Sequence, residues 1–175
     1  MARLSLVAAL ALAAAAAHAQ HDASVIPDDA PDWRTMAEAV ADVQAGDRLL
    51  LVYGYAAWCG YCVRFDREVF TDDSVQAYVN RHYAPVRLDL ESDEEVPFFD
   101  AAVTMAQLGG AMQITGTPTS VFVDGDGALI TKLPGYTDPE TYLLALRYVR
   151  EEAYETVSFE DFLAAERSGE AAGEE

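Results

Sequence analysis

The two cysteines of the chain stand three positions apart, in Trp58-Cys59-Gly60-Tyr61-Cys62. They follow directly on Leu49-Leu50-Leu51-Val52-Tyr53-Gly54-Tyr55, a continuous apolar run of strand length, which reads as a strand buried on both faces. Helix-like spacing resumes behind them. A strand feeding a helix that opens with C-x-x-C is a context for thiol redox chemistry. A helix N-terminus carries partial positive charge and free N–H groups, and both stabilise an anion. A thiol placed there loses its proton more easily, its pKa falling from about 8.5 towards roughly 3.5–7.5. Cys59 is therefore expected to be the exposed nucleophile. Cys62, one helical turn on, is expected to resolve the mixed disulfide.

Other uses of the pair fit less well. A structural bridge closing so small a loop removes little entropy from the unfolded chain. A zinc site needs about four ligands, and His18, His21 and His82 have no ligand spacing relative to the cysteines. A c-type haem site needs histidine directly after the second cysteine, where Val63 stands. No metal and no cofactor beyond the cysteine pair itself is expected.

The N-terminus reads as a secretory signal peptide over 1–19, with Arg3, an alanine-rich apolar core and the cleavage pattern Ala17-His18-Ala19. No membrane anchor is expected after cleavage, and export places the protein in the periplasm of a Gram-negative source. The formal charge of −19 argues against nucleic acid and anionic membrane surfaces as partners. The length suits one folded domain.

Residues 20–32, rich in aspartate and proline, read as a linker. A domain over 33–167 follows, and an acidic disordered tail is expected over 168–175. Within the domain, Trp33, Met36, Val40 and Val43 recur at helical spacing, with Gly46 as stop. A helix is expected from Cys59 to about Val69, with Asp66 and Glu68 on its solvated face. A second helix starts near Asp72, and a second strand over Ala84 to Leu90 runs parallel to the first. The acidic run Asp89 to Glu95 reads as a solvated loop, with calcium binding as a weaker alternative. Pro97 is expected in the first turn of a helix that Gly109-Gly110 ends. Ser120 to Val123 and Ala128 to Leu133 form a hairpin about Asp124-Gly125-Asp126-Gly127. Thr137-x-x-Glu140 reads as the capping box of a long helix. Ser158 caps a short last one.

This order of elements, with Trp58-Cys59-Gly60-Tyr61-Cys62 and the later Gly116-Thr117-Pro118-Thr119, resembles the thioredoxin superfamily over roughly Leu49 to Val149. The finer likeness is to exported bacterial thioredoxin-like proteins of the SoxW type, and Gly60-Tyr61 is similar to the active-site dipeptide of DsbC. The resemblance implies an α/β thioredoxin-like fold: a central mixed β-sheet flanked by helices, with an extra N-terminal helix and a short C-terminal one. It implies a cis Thr117–Pro118 bond facing the cysteines, with Thr117 and Pro118 binding the substrate chain and Trp58, Gly60 and Tyr61 tuning the site. It further implies a thiol:disulfide oxidoreductase acting on disulfide-containing proteins as reductase or isomerase, monomeric, and recharged by a membrane electron donor of the DsbD or CcdA type. The alternative is a non-catalytic binding module or holdase with a structural disulfide. Two positions depart from thioredoxin: Tyr53 stands where it has a buried aspartate, and Arg87 where it has a lysine. The proton acceptor for Cys62 is thus open.

Overall fold

The computed structural model describes residues 30–173. The expected signal peptide and most of the expected linker lie outside the described residues.

The first helix, α1 (Met36–Ala45), starts later than the apolar spacing suggests. Thr35 is its N-cap and forms a full capping box with Glu38, so Trp33 precedes the helix. Strand β1 (Leu49–Tyr55) follows, then α2 (Gly60–Glu68), α3 (Asp73–His82) and β2 (Tyr83–Asp89). Asp72 caps α3 by accepting from Ser74 N and Val75 N, both at 3.0 Å. Strands β1 and β2 pair in parallel, with Leu49 opposite Tyr83 and Tyr53 opposite Arg87. Later come β5 (Thr119–Val123) and β6 (Leu129–Pro134), which complete a four-stranded sheet in the order β2-β1-β5-β6. β5 runs antiparallel to both β1 and β6, so the sheet is mixed.

The helix expected from Pro97 is not formed. Residues 95–104 instead make a small antiparallel hairpin, β3 (Glu95–Phe98) and β4 (Ala101–Thr104), with Val96 opposite Val103. Phe99 takes a positive φ of 50° in its turn. The helix behind it, α4 (Met105–Ala111), starts with a capping box between Thr104 and Gln107. Gly109 and Gly110 lie inside that helix rather than past its end. A Cβ on Gly109 would come within 2.5 Å of the Leu90 side chain, so glycine here permits close packing of α4 on the end of β2.

The long helix α5 (Pro139–Arg150) is capped by Asp138, one residue after the expected Thr137. Asp138 accepts from Thr141 N at 3.0 Å, and Pro139 takes the first turn, where its missing N–H costs nothing. A single 3-10 turn over Ala153–Glu155 leads to α6 (Phe159–Gly173). Ser158 accepts from Asp161 N at 3.1 Å at its start. The helix continues past Ser168, where the disordered tail was expected to begin, so at 15 residues it exceeds α5 and is not the short helix expected.

Alternate residues of β1 feed two cores. Leu50 and Val52 pack with Val86, Leu88, Val121 and residues of α1 and α4 on one face. Leu51 and Tyr53 pack with Phe65, Val75, Val79, Tyr142 and Leu146, from α2, α3 and α5, on the other. Burial on both faces explains the unbroken apolar run of β1. The second core is rich in rings: Phe65 meets Tyr142 edge-on at 4.9 Å, and Tyr53 meets Phe70 edge-on at 4.9 Å. Such pairs contribute about 0.5–1.5 kcal/mol each beyond their buried area. They hold α2, and with it the cysteines, firmly on the sheet.

Candidate active site

Strand β1 ends at Tyr55, and the chain turns at once into α2. Cys59 N donates to Ala56 O at 3.0 Å to close that turn. Cys59 is the N-cap of α2, with φ −79° and ψ 97°. Its Sγ accepts from Cys62 N at 3.0 Å, the role usually taken by a serine or aspartate oxygen. The two cysteines form a disulfide, with S–S 2.10 Å and Cα–Cα 5.2 Å.

Both sulfur-bearing residues are more covered than the sequence suggests. Cys59 is 4% exposed and Cys62 3%, so Cys59 is not distinguished by exposure in this bonded state. It is distinguished by position, at the helix mouth rather than within the first turn. The residues around it are open: Trp58 is 72% exposed and Tyr61 63%.

The Thr117–Pro118 peptide bond is cis. Gly54 of β1 lies opposite Thr119 of β5 in the antiparallel register. The C-terminal end of β1, which leads to the cysteines, and the N-terminal end of β5, which follows Pro118, therefore share one end of the sheet. Pro118 O accepts from Gly135 N at 2.8 Å, which ties this loop to the one after β6. The Thr117 hydroxyl is buried without a hydrogen-bond partner among the described residues.

The loop after β6 reaches back to α2. Tyr136 donates its phenol to Glu68 Oε2 at 2.5 Å, and Arg64 lies 4.2 Å from the Tyr136 ring centroid. The Tyr61 and Tyr136 rings are 6.4 Å apart. Nothing in the sequence marks Tyr136 for this place, because its partners lie some seventy positions away.

Asp66 was expected on the solvated face of α2. It is instead buried, 8% exposed, and held by both guanidinium nitrogens of Arg87 at 2.8 and 3.0 Å. Glu68, the other acid considered, does sit at the surface. The guanidinium of Arg87 also lies 5.3, 5.4 and 4.5 Å from the ring centroids of Trp33, Tyr53 and Tyr55. Burial works against the charge on Arg87, but the hydrogen bonds and charge of Asp66 outweigh it and hold the guanidinium above its ordinary range. Burial foremost, and then the Asp66 charge, push the Tyr53 phenol far above its usual range. Tyr53 Oη donates to the carbonyl of Cys62 at 3.4 Å, a long contact. A hint of this arrangement was available in the sequence: Asp66 is four residues after Cys62, on the same helical face.

Among the described residues, no group of His, Cys, Asp and Glu is placed to hold a metal ion. The acidic stretch near Asp89 uses its side chains locally, with Asp89 accepting from Glu91 N at 3.0 Å. No helix among the described residues is long and apolar enough to cross a membrane.

Residues 36–150 match the thioredoxin-like domain family. The chain belongs to that family. The thioredoxin-like domain so defined takes in everything from α1 to the end of α5, while Trp33 and α6 lie outside it. Its fold is shared by a thioredoxin-fold protein from Helicobacter pylori, at 19% identity and TM-score 0.59, covering 77% of this chain and 92% of that one. A thioredoxin from Thermus thermophilus is 26% identical with TM-score 0.57, over 69% of this chain and 87% of that one. A putative disulphide-isomerase from Bacteroides thetaiotaomicron is 27% identical with TM-score 0.56, over 69% and 93%. No curated protein matches the chain in sequence. The mixed sheet flanked by helices thus agrees with the fold that the two motifs suggested. A thioredoxin-like domain with a C-x-x-C pair at bonding distance is consistent with thiol–disulfide exchange.

Proposed function

We propose that the protein is a thiol:disulfide oxidoreductase that exchanges its Cys59–Cys62 pair with disulfides of other proteins. The observation that carries this reading is the position of Cys59. It caps α2, its sulfur receives the N–H of Cys62, and it stands at the sheet end shared with the cis-proline loop. A thiolate formed there is stabilised by the helix N-terminus.

In the reducing direction, the Cys59 thiolate attacks a substrate disulfide and one substrate sulfur leaves as a thiol. Cys62 then attacks Cys59, the enzyme disulfide closes, and the second substrate sulfur leaves. Two electrons pass from the enzyme dithiol to the substrate. Thr117 and Pro118 would hold the substrate chain, and Trp58, Gly60 and Tyr61 shape the surface around Cys59. The exposure of Trp58 and Tyr61 supports a role in contact with another protein. The likeness to a putative disulphide-isomerase and to a thioredoxin supports the reducing or isomerising direction. A periplasmic location and a membrane electron donor of the DsbD or CcdA type complete this reading, since a reductase in an oxidising compartment must be recharged.

The low exposure of both cysteines favours a second reading, a binding module whose bridge stays closed. Insulin reduction by dithiothreitol separates the two. Acceleration by the wild type and none by Cys59→Ser is expected; equal rates would remove the catalytic reading. With Cys62→Ala, mixed disulfides with substrate proteins should accumulate on Cys59.

A further inference from the structure

The loop that carries Thr117 and Pro118 runs over residues 112–118, from the end of α4 to the start of β5. Helix α4 closes in a Schellman motif. Gln113 N donates to Gly110 O at 2.9 Å and Ile114 N to Gly109 O at 3.0 Å, with Gln113 at a φ of 54°. The carbonyls of Met112 and Gln113 lie outside that motif. One side chain from across the fold takes both: Lys132 Nζ donates to Met112 O at 3.2 Å and to Gln113 O at 3.0 Å. Lys132 stands on β6, the outermost strand of the sheet, opposite Val121. Arginines of the fold pair with carboxylates, as Arg64 does with Glu68 and Arg147 with Glu166. The Lys132 ammonium is directed at backbone oxygens instead, at a helix C-terminus where a cation is favoured.

The same strand holds the far end of the loop, because Gly135, directly after β6, donates its N–H to Pro118 O at 2.8 Å. Between the two ends, Thr119 Oγ1 donates to Gly116 O at 2.8 Å. Ile114 sits against Gly54 of β1, where an added Cβ would come 3.0 Å from its Cδ1. Residues 114–118 form neither helix nor strand, so these few ties set their path. We propose that Lys132 is a positioning residue for the Thr117–Pro118 loop. Its ammonium fixes the point at which the loop leaves α4, and with it the place where a substrate chain is held beside Cys59. This rests on the exchange reading above. Lys132 acts through the backbone of Met112 and Gln113 and touches neither sulfur. A charged donor holds a carbonyl more firmly than a neutral one, and a small displacement of a substrate-holding segment is costly to the reaction it serves.

The test compares a disulfide on a polypeptide with one that offers the loop no chain to hold. Reduced full-length protein is mixed with excess insulin or excess cystamine, and closure of the Cys59–Cys62 bond is followed by tryptophan fluorescence. In Lys132→Met, the half-saturating insulin concentration should rise about tenfold with little change in the plateau rate. The ratio of the insulin to the cystamine rate constant should fall by a similar factor, about tenfold. Lys132→Arg, which can donate to both carbonyls, should recover most of that ratio. Equal losses on the two disulfides, no loss on either, or an Arg variant as weak as the Met variant overturns the proposal. If Lys132→Met does not fold, Lys132→Gln, whose side chain is one atom shorter, must lower the ratio, and an unchanged ratio there overturns it equally. Amide hydrogen exchange reads the clamp without any activity. Exchange at Gln113 and Ile114 should quicken about tenfold in Lys132→Met while the amides of β1 hold, and unchanged exchange there also overturns the proposal. A wild type that reduces neither disulfide would remove the oxidoreductase reading, and the amide measurement would then decide by itself whether Lys132 fixes the loop.

Discussion

The backbone N–H of Cys62 points at Sγ of Cys59 from 3.0 Å, so among the described residues the first sulfur of the pair is met by a helix-end donor and the second is not. On the proposed reading, the same donor is expected to stabilise a Cys59 thiolate in the reduced protein. Iodoacetamide at limiting concentration and mildly acid pH should therefore alkylate Cys59 first. Peptide mass spectrometry reads the ratio directly. Equal labelling of the two sulfurs would contradict the assignment of Cys59 as nucleophile.

Gly127 has a φ of 87°, and a Cβ there would fall 2.9 Å from the Phe99 ring. The turn between β5 and β6 thus depends on glycine for its backbone and for its contact with the β3–β4 hairpin. Gly127→Ala is expected to cost about 1–3 kcal/mol, read as a lower urea midpoint. Redox activity at the opposite end of the sheet should persist in the folded fraction.

Ser120 Oγ and Tyr142 Oη share a hydrogen bond of 2.9 Å, and both residues are buried between β5 and α5. Tyr142→Phe leaves the serine hydroxyl without that partner. A loss of about 1–2 kcal/mol is expected by chemical denaturation. Adding Ser120→Ala should recover part of it, because the stranded group is then gone. A double variant weaker than the single would contradict this account.

His82, at the end of α3, has its pKa lowered from 6.5 by burial first, then by Arg150 and Arg81. The fold therefore prefers the neutral ring. The unfolded chain binds the proton more readily, so this contribution is complete above the ordinary value near 6.5 and is lost as pH falls through the lower folded value. Stability should decline as pH falls below the ordinary histidine value of 6.5, and His82→Gln should flatten that slope. The comparison of unfolding midpoints across pH, with and without the ring, checks the sign.

Local patterns account for much of what was legible beforehand. The apolar run of β1, the cysteine pair behind it and the Asp-Gly turn between β5 and β6 are short-range signals. They were read correctly because each element carries its own determinant. The hairpin of residues 95–104 was misread because the apolar spacing of Phe98, Ala102 and Met105 suits a helix. Pairing of Val96 with Val103 and the contact of Phe99 with Gly127 outweigh that periodicity, and the Thr104–Gln107 capping box marks the real helix start. At the candidate site, Cys59, Cys62 and the Thr117–Pro118 loop are legible in the sequence, whereas Tyr136 and the buried state of Asp66 are not.

What the chain settles by itself is therefore the placement at the helix mouth: two sulfurs one turn apart, behind a strand buried on both faces. Which charges surround them was decided only by assembly. An aspartate on an amphipathic helix is ordinarily left in water, because burying it unpaired is costly. It is buried here because the parallel pairing of β1 with β2 brings Arg87 within reach of both its oxygens, and no stretch of sequence short enough to scan contains both partners.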